Sequence, residues 1–146
     1  MGVVLLVEDD EQVRVLAESI IEVTGHEALT AANIQEALAL IEGDEPIDLL
    51  FTDLTLWGNG QGGIELAQQA VKIRLGLKVL YTTGGGVTDG MRALFVKGSV
   101  FLGKPYTADD LICIVSDQLW QVANVSLAEP LAGKKQGEKS GIKAAT

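Results

Sequence analysis

The sequence predicts an α/β protein: a doubly wound (βα)5 three-layer sandwich on a parallel sheet of strand order 2-1-3-4-5. Three observations predict it. Short β-rich apolar runs alternate five times with segments of helical spacing, at intervals of about 25 residues. Runs such as Val3-Val4-Leu5-Leu6-Val7 and Leu49-Leu50-Phe51 are apolar without alternation, as strands covered by helices on both faces are. Right-handed crossovers then leave few topologies, of which this order is a common one.

In chain order, residues 3–7 form the first strand and end in Glu8-Asp9-Asp10-Glu11. Val13, Leu16, Ala17, Ile20 and Ile21 recur at helical spacing, and Gly25 stops that helix. Residues 27–30 are a partly polar strand, expected near an edge. Asn33 and Glu36 stand as N-cap and N3 of a second helix whose stripe is Ile34, Ala37, Leu38 and Ile41. The third strand, 49–51, runs straight into Thr52 and Asp53. A glycine-rich loop, 57–63, precedes a third helix carrying Ile64, Ala67, Val71 and Ile73. Residues 77–82 are the fourth strand, and Thr83 and Gly84-Gly85-Gly86 follow it. A weaker helix is expected over 88–97 and a fifth strand over 99–102, ending at Gly103-Lys104-Pro105. Thr107 with Asp110 opens the last helix, whose apolar face is Leu111, Ile114, Val115, Leu119 and Val122.

At 146 residues the chain is one domain with a tail. The domain is expected over 1–123. Residues 124–146 hold four lysines against two glutamates, a balance of +2 that leaves −11 on the body, and read as a flexible end. Hydrophobic content of 47% and mean hydropathy of +0.27 exclude a disordered chain. A net charge of −9 argues against non-specific nucleic-acid binding and against an anionic membrane surface. The lone Cys113 excludes an internal disulfide and a cysteine zinc cluster, and is expected to pack as a small hydrophobe on a helix face. No apolar run approaches the ~20 residues that span a bilayer. Met1-Gly2-Val3 leads into a strand without a basic region, so no signal peptide is expected and the cytoplasm is the default location.

The carboxyl ends of parallel strands share one edge of the sheet, where ligands of such folds bind. The first strand releases Glu8 and Asp9 there, the third Asp53, the fourth Thr83 and the fifth Lys104. A capping or turn role explains each residue alone. It does not explain three carboxylates, a hydroxyl and an ammonium converging. Three close carboxylates do not all stay charged without a cation, and oxygen ligands suit a hard, partly hydrated ion such as Mg2+. The only histidine, His26, precedes the second strand at the opposite edge and is expected on the surface. An aspartate beside Mg2+, a lysine and a hydroxyl is equipped to accept a phosphoryl group. In that reading Asp53 attacks, Asp9 and Asp53 hold the metal with Glu8 acting through water, and Lys104 and Thr83 hold phosphoryl oxygens.

Four motifs in this order and spacing, Val7-Glu8-Asp9-Asp10, Thr52-Asp53-Leu54, Tyr81-Thr82-Thr83-Gly84 and Phe101-Leu102-Gly103-Lys104-Pro105-Tyr106, resemble those of response-regulator receiver domains of two-component signalling. The resemblance covers about residues 2–122. It implies the flavodoxin-like arrangement and phosphotransfer to Asp53 from a histidine kinase or histidine phosphotransfer protein. It implies self-phosphorylation and dephosphorylation without independent substrate turnover. It adds Thr55 to the metal-holding set of Glu8, Asp9 and Asp53. It also implies a cis Lys104–Pro105 peptide, a switch position at Phe101, where ordinary strand packing is the expectation over a large rotamer swing, and an output face on helix 4, strand 5 and helix 5. The chain departs from the pattern where Trp57 stands in place of the usual proline, in a loop one or two residues longer than usual. Loop 58–63 is not a P-loop, lacking the Gly-Lys-Ser/Thr ending.

Three other readings stay open. A receiver acting unphosphorylated would carry the same residues. An aspartate-nucleophile phosphatase would want an aspartate where Thr55 stands. A flavin or nucleotide binder would use loops 58–63 and 84–86, against the repulsion of the acidic cluster.

Overall fold

The computed structural model describes residues 2–56, 58 and 60–132, with side chains through Val122. Ten elements alternate in chain order: β1 (Val3–Val7), α1 (Glu11–Val23), β2 (Glu27–Ala31), α2 (Ile34–Glu42), β3 (Leu49–Asp53), α3 (Gly62–Ile73), β4 (Lys78–Thr83), α4 (Asp89–Ala93), β5 (Val100–Gly103) and α5 (Ala108–Ala132). The five strands form one sheet of order β2-β1-β3-β4-β5, parallel throughout. Both the fold class and the strand order are those predicted.

Strand chemistry divides the core into two layers. Successive side chains point to opposite faces. Leu5, Val7, Leu50, Val79 and Tyr81 pack under α2 and α3, with Ala37, Ile41, Ile64, Leu66, Ala67 and Ala70. Val4, Leu6, Leu49, Phe51 and Leu80 pack under α1 and α5, with Ala17, Ile21, Leu111, Val115 and Leu119. All five residues of central β3 are buried, whereas edge strands β2 and β5 are mostly half-exposed.

The predicted caps are formed. Asn33 Oδ1 accepts from Glu36 N at 2.8 Å, and Glu36 reaches back to Ala32 N at 2.9 Å. Thr107 and Asp110 each accept from the other's backbone N–H, at 3.0 and 3.1 Å. A tie that spacing does not reveal closes α2: Arg74 donates to Ile41 O at 2.8 Å and Gly43 O at 2.9 Å, satisfying carbonyls that a helix end leaves free.

Several expectations are corrected. Leu16 is 63% exposed, because the buried face of α1 centres on Ala17 and Ile21, a different side of the helix. Ile73, the last residue of α3, is exposed; Leu66 and Ala70 fill the stripe instead. Cys113 is exposed on α5, not packed against the core. His26 is half-buried and its Nδ1 accepts from Gly2 N at 3.2 Å. Burial, then the N-terminal charge, lower its pKa below the ordinary 6.5. Helix α4 spans five residues rather than 88–97. Phe95 turns inward to stack on Tyr81, and Val96 N donates to the Tyr81 hydroxyl instead of to a helical carbonyl. Helix α5 runs to Ala132. The rest of the expected tail, 133–146, lies outside the described residues, as does Trp57.

Candidate functional site

The ladder fixes the backbone of the site before any side chain contributes. Asp53 is paired with Thr82, and Thr83 with Gly103. Beyond the strand ends, Leu54 N donates to Thr82 O at 2.8 Å and Lys104 N to Thr83 O at 2.9 Å. Residues 53, 83 and 104 therefore leave three adjacent strands at one level. Glu8 N donates to Ala31 O at 3.2 Å and holds the fourth strand end likewise.

The acidic run after β1 divides its work. Asp10 caps α1, its Oδ1 accepting from Gln12 N at 2.9 Å and Val13 N at 3.1 Å. Glu8 is 3% exposed and turns inward, while Asp9 is half-exposed. Oxygens of Glu8, Asp9 and Asp53 lie within 4.8 Å of one another. Such an all-oxygen carboxylate set fits a hard divalent cation such as Mg2+.

Lys104 Nζ lies 2.9 Å from Asp53 Oδ2 and 2.9 Å from Glu8 Oε1. Burial alone would lower its pKa, but the hydrogen bonds to Asp53 and Glu8 and their charges outweigh burial and raise it above 10.5. Burial raises Glu8 above 4.5 against the hydrogen bonds from Lys104 and Asp10 N. The site thus favours the charged lysine, while burial works against the charged form of Glu8.

Asp53 is 7% exposed. Lys104 holds its Oδ2, and Thr55 N approaches Oδ1 at 3.3 Å. The Thr55 side chain is exposed, so its described tie to the site runs through backbone. Thr83 is buried, one step along the ladder from the partner of Asp53, and its Oγ1 accepts from Gly85 N at 3.1 Å. The Lys104–Pro105 peptide is cis. A cleft of about 420 Å³ lined by Val13, Leu16, Gly84, Lys104, Pro105 and Tyr106 opens beside the lysine. Phe101 packs half-buried against the core layer that holds Tyr81.

Two features of the site went unread in the sequence. The bond from Lys104 to Glu8 joins residues that no motif spacing links. Gly63 is the second. A Cβ there would overlap the Asp53 carbonyl and meet Leu54 Cα at 2.9 Å, and Gly63 N donates to Leu54 O at 2.9 Å. Helix α3 therefore starts directly on the backbone of Asp53 and Leu54. The available signal was Gly62-Gly63 at the head of an apolar helical stripe, where glycine is unfavourable unless backbone passes close by.

The family model for the response regulator receiver domain matches residues 4–116. The phosphate regulon transcriptional regulatory protein PhoB of Pseudomonas aeruginosa is 30% identical over 112 residues, covering 75% of this chain and 48% of that protein. The response regulator receiver protein CpdR of Brucella abortus is 30% identical over 110 residues, covering 75% of this chain and 89% of that protein. A CheY-like response regulator receiver domain from Methanospirillum hungatei JF-1 superposes with a TM-score of 0.74 at 26% identity, covering 85% of this chain and 98% of that one. The chain spans about half the length of the PhoB relative.

Proposed function

The chain belongs to the response regulator receiver domain family, and from that membership we propose that it accepts a phosphoryl group on Asp53 from a phosphohistidine. The donor is a histidine kinase or a histidine phosphotransfer protein of the cytoplasm. No helix among the described residues is long and apolar enough to cross a membrane. The observation that carries the reading is the single ammonium, Lys104, shared at 2.9 Å between Asp53 and Glu8 within a cluster of three carboxylates.

Asp53 Oδ1, the oxygen not held by Lys104, attacks phosphorus in line. The P–O bond forms as the P–N bond to the donor histidine breaks, and the imidazole nitrogen leaves with the bonding pair and takes a proton from water. Lys104 and the Thr83 hydroxyl bind the phosphoryl oxygens, so the work is positioning and charge compensation. Glu8, Asp9 and Asp53 would hold Mg2+, with Thr55 adjoining through its backbone. When bound, the ion supplies further positive charge against those oxygens. The apolar rim of Val13, Leu16, Pro105 and Tyr106 gives the donor a seat beside Lys104. The response leaves through the α4–β5–α5 face to an output partner.

Intact mass after incubation with acetyl phosphate and Mg2+ tests this. One phosphoryl group is expected on the wild type and none on Asp53→Asn. Equal modification of both, or indifference to a chelator, overturns it.

A further inference from the structure

Helix α4 is the least anchored helix of the body, with five residues and none of them buried. Phe95 and Val96 pack against the core in the segment that follows it, and two side chains hydrogen-bond its backbone. Gln68 Nε2 donates to Leu94 O at 2.9 Å in an exposed position. The other tie is buried. Tyr81 is 0% exposed, its ring lies 4.4 Å from that of Phe95, and its hydroxyl accepts from Val96 N at 3.0 Å. Tyr81 stands on β4 two residues before Thr83, opposite Phe101 in the ladder. One strand thus carries both the hydroxyl that meets the phosphoryl group and the hydroxyl that holds residues 95–96.

We propose that Tyr81 is a resting-state latch: its hydroxyl pins the α4-to-β5 segment to β4 and opposes the change that Asp53 modification drives. The inference rests on the phosphoacceptor reading. Drawing Thr83 toward a phosphoryl oxygen pulls on Gly84-Gly85-Gly86, which lead through Val87 and the N-cap Thr88 into α4. The segment then has two states, docked on Tyr81 or released. A ligand shifts such an equilibrium only by its differential affinity for the two states. A bond present in the docked state alone therefore weakens every ligand that needs the released one, and removing it returns that affinity.

The test uses the whole chain with beryllofluoride and Mg2+ as phosphoryl mimic. Tyr81→Phe keeps the ring stack and deletes the latch. Its affinity for the mimic should exceed that of the wild type by about twofold to tenfold, the range one hydrogen bond spans. In the wild type the mimic should speed amide exchange at Val96. Equal or weaker affinity in Tyr81→Phe, or a Val96 amide as protected with the mimic as without it, overturns the latch alone. A wild type that takes up no mimic at Asp53 overturns the phosphoacceptor reading and the latch together.

Discussion

Lys104 Nζ bonds Glu8 Oε1 at 2.9 Å across 96 positions of sequence, which makes the lysine a counter-ion shared with β1 rather than the property of Asp53. Removing it strands two carboxylates, one of them almost fully buried. Lys104→Ala should cost about 2 kcal/mol in metal-free buffer, below the value for a fully buried pair because the lysine is partly exposed. Millimolar Mg2+ should restore most of that loss while a phosphoryl mimic no longer alters amide exchange on α4 and β5. Denaturant titration with and without Mg2+ checks the first part. A loss that Mg2+ leaves untouched would place the effect elsewhere than in charge compensation.

Thr82, paired with Asp53 in the ladder, has a buried Oγ1 without a hydrogen-bond partner among the described residues. An unmet buried hydroxyl is costly, and valine keeps the shape of threonine without it. Thr82→Val should therefore raise stability by about 1 kcal/mol. A decrease in the unfolding midpoint would show that the hydroxyl has a partner in solution.

Burial holds the Tyr81 phenol above its ordinary pKa of 10.0 despite the hydrogen bond from Val96, so the folded state keeps a proton that the unfolded chain loses. The folded state then binds more protons above pH 10, and stability falls as pH rises there. Tyr106 shifts the same way, by burial first. The decline in melting temperature between about pH 9.5 and 11 should therefore be shallower in Tyr81→Phe, though not abolished. Parallel curves for the two proteins would refute the assignment.

The lifetime of the phosphorylated state should be long. Hydrolysis needs a water oriented behind phosphorus. Gly85 offers no side chain, and Thr55, whose N–H is turned to Asp53, offers only a short hydroxyl. A Cβ at Gly85 meets only Thr83 Oγ1, at an ordinary 3.8 Å, so the site accepts a longer residue. Gly85→Glu or Thr55→Asn should speed decay of the adduct after donor removal. Rapid decay in the wild type, or no change in either variant, would place control of the water elsewhere.

The strands and their order were legible because each carries its own signal, an apolar run closed by polar residues, and the same signal placed Glu8, Asp9, Asp53, Thr83 and Lys104 on one edge. What stayed hidden depends on approach between segments. Leu16 fits a helical period yet faces solvent, since period does not say which side of a helix meets the sheet. The shortness of α4 follows from a bond between Tyr81 and Val96 that no local window contains. Gly63 read as one more residue of a glycine-rich loop and is a point of contact with the backbone of Asp53 and Leu54.

The order in which the ladder is filled has a consequence for synthesis. Glu8 leaves the ribosome first, then Asp53, then Thr83, and the neutralising ammonium of Lys104 arrives last, just after β5. A nascent chain holding only β1 and β3 would bring the carboxylates of Glu8, Asp9 and Asp53 together before Lys104 is made. Side-by-side docking of those central strands is therefore opposed until β5 joins or a metal ion stands in, and non-local pairing is already the slow part of such folds. The chain should form its sheet late and nearly at once. Added Mg2+ should speed refolding of Lys104→Ala more than that of the intact protein.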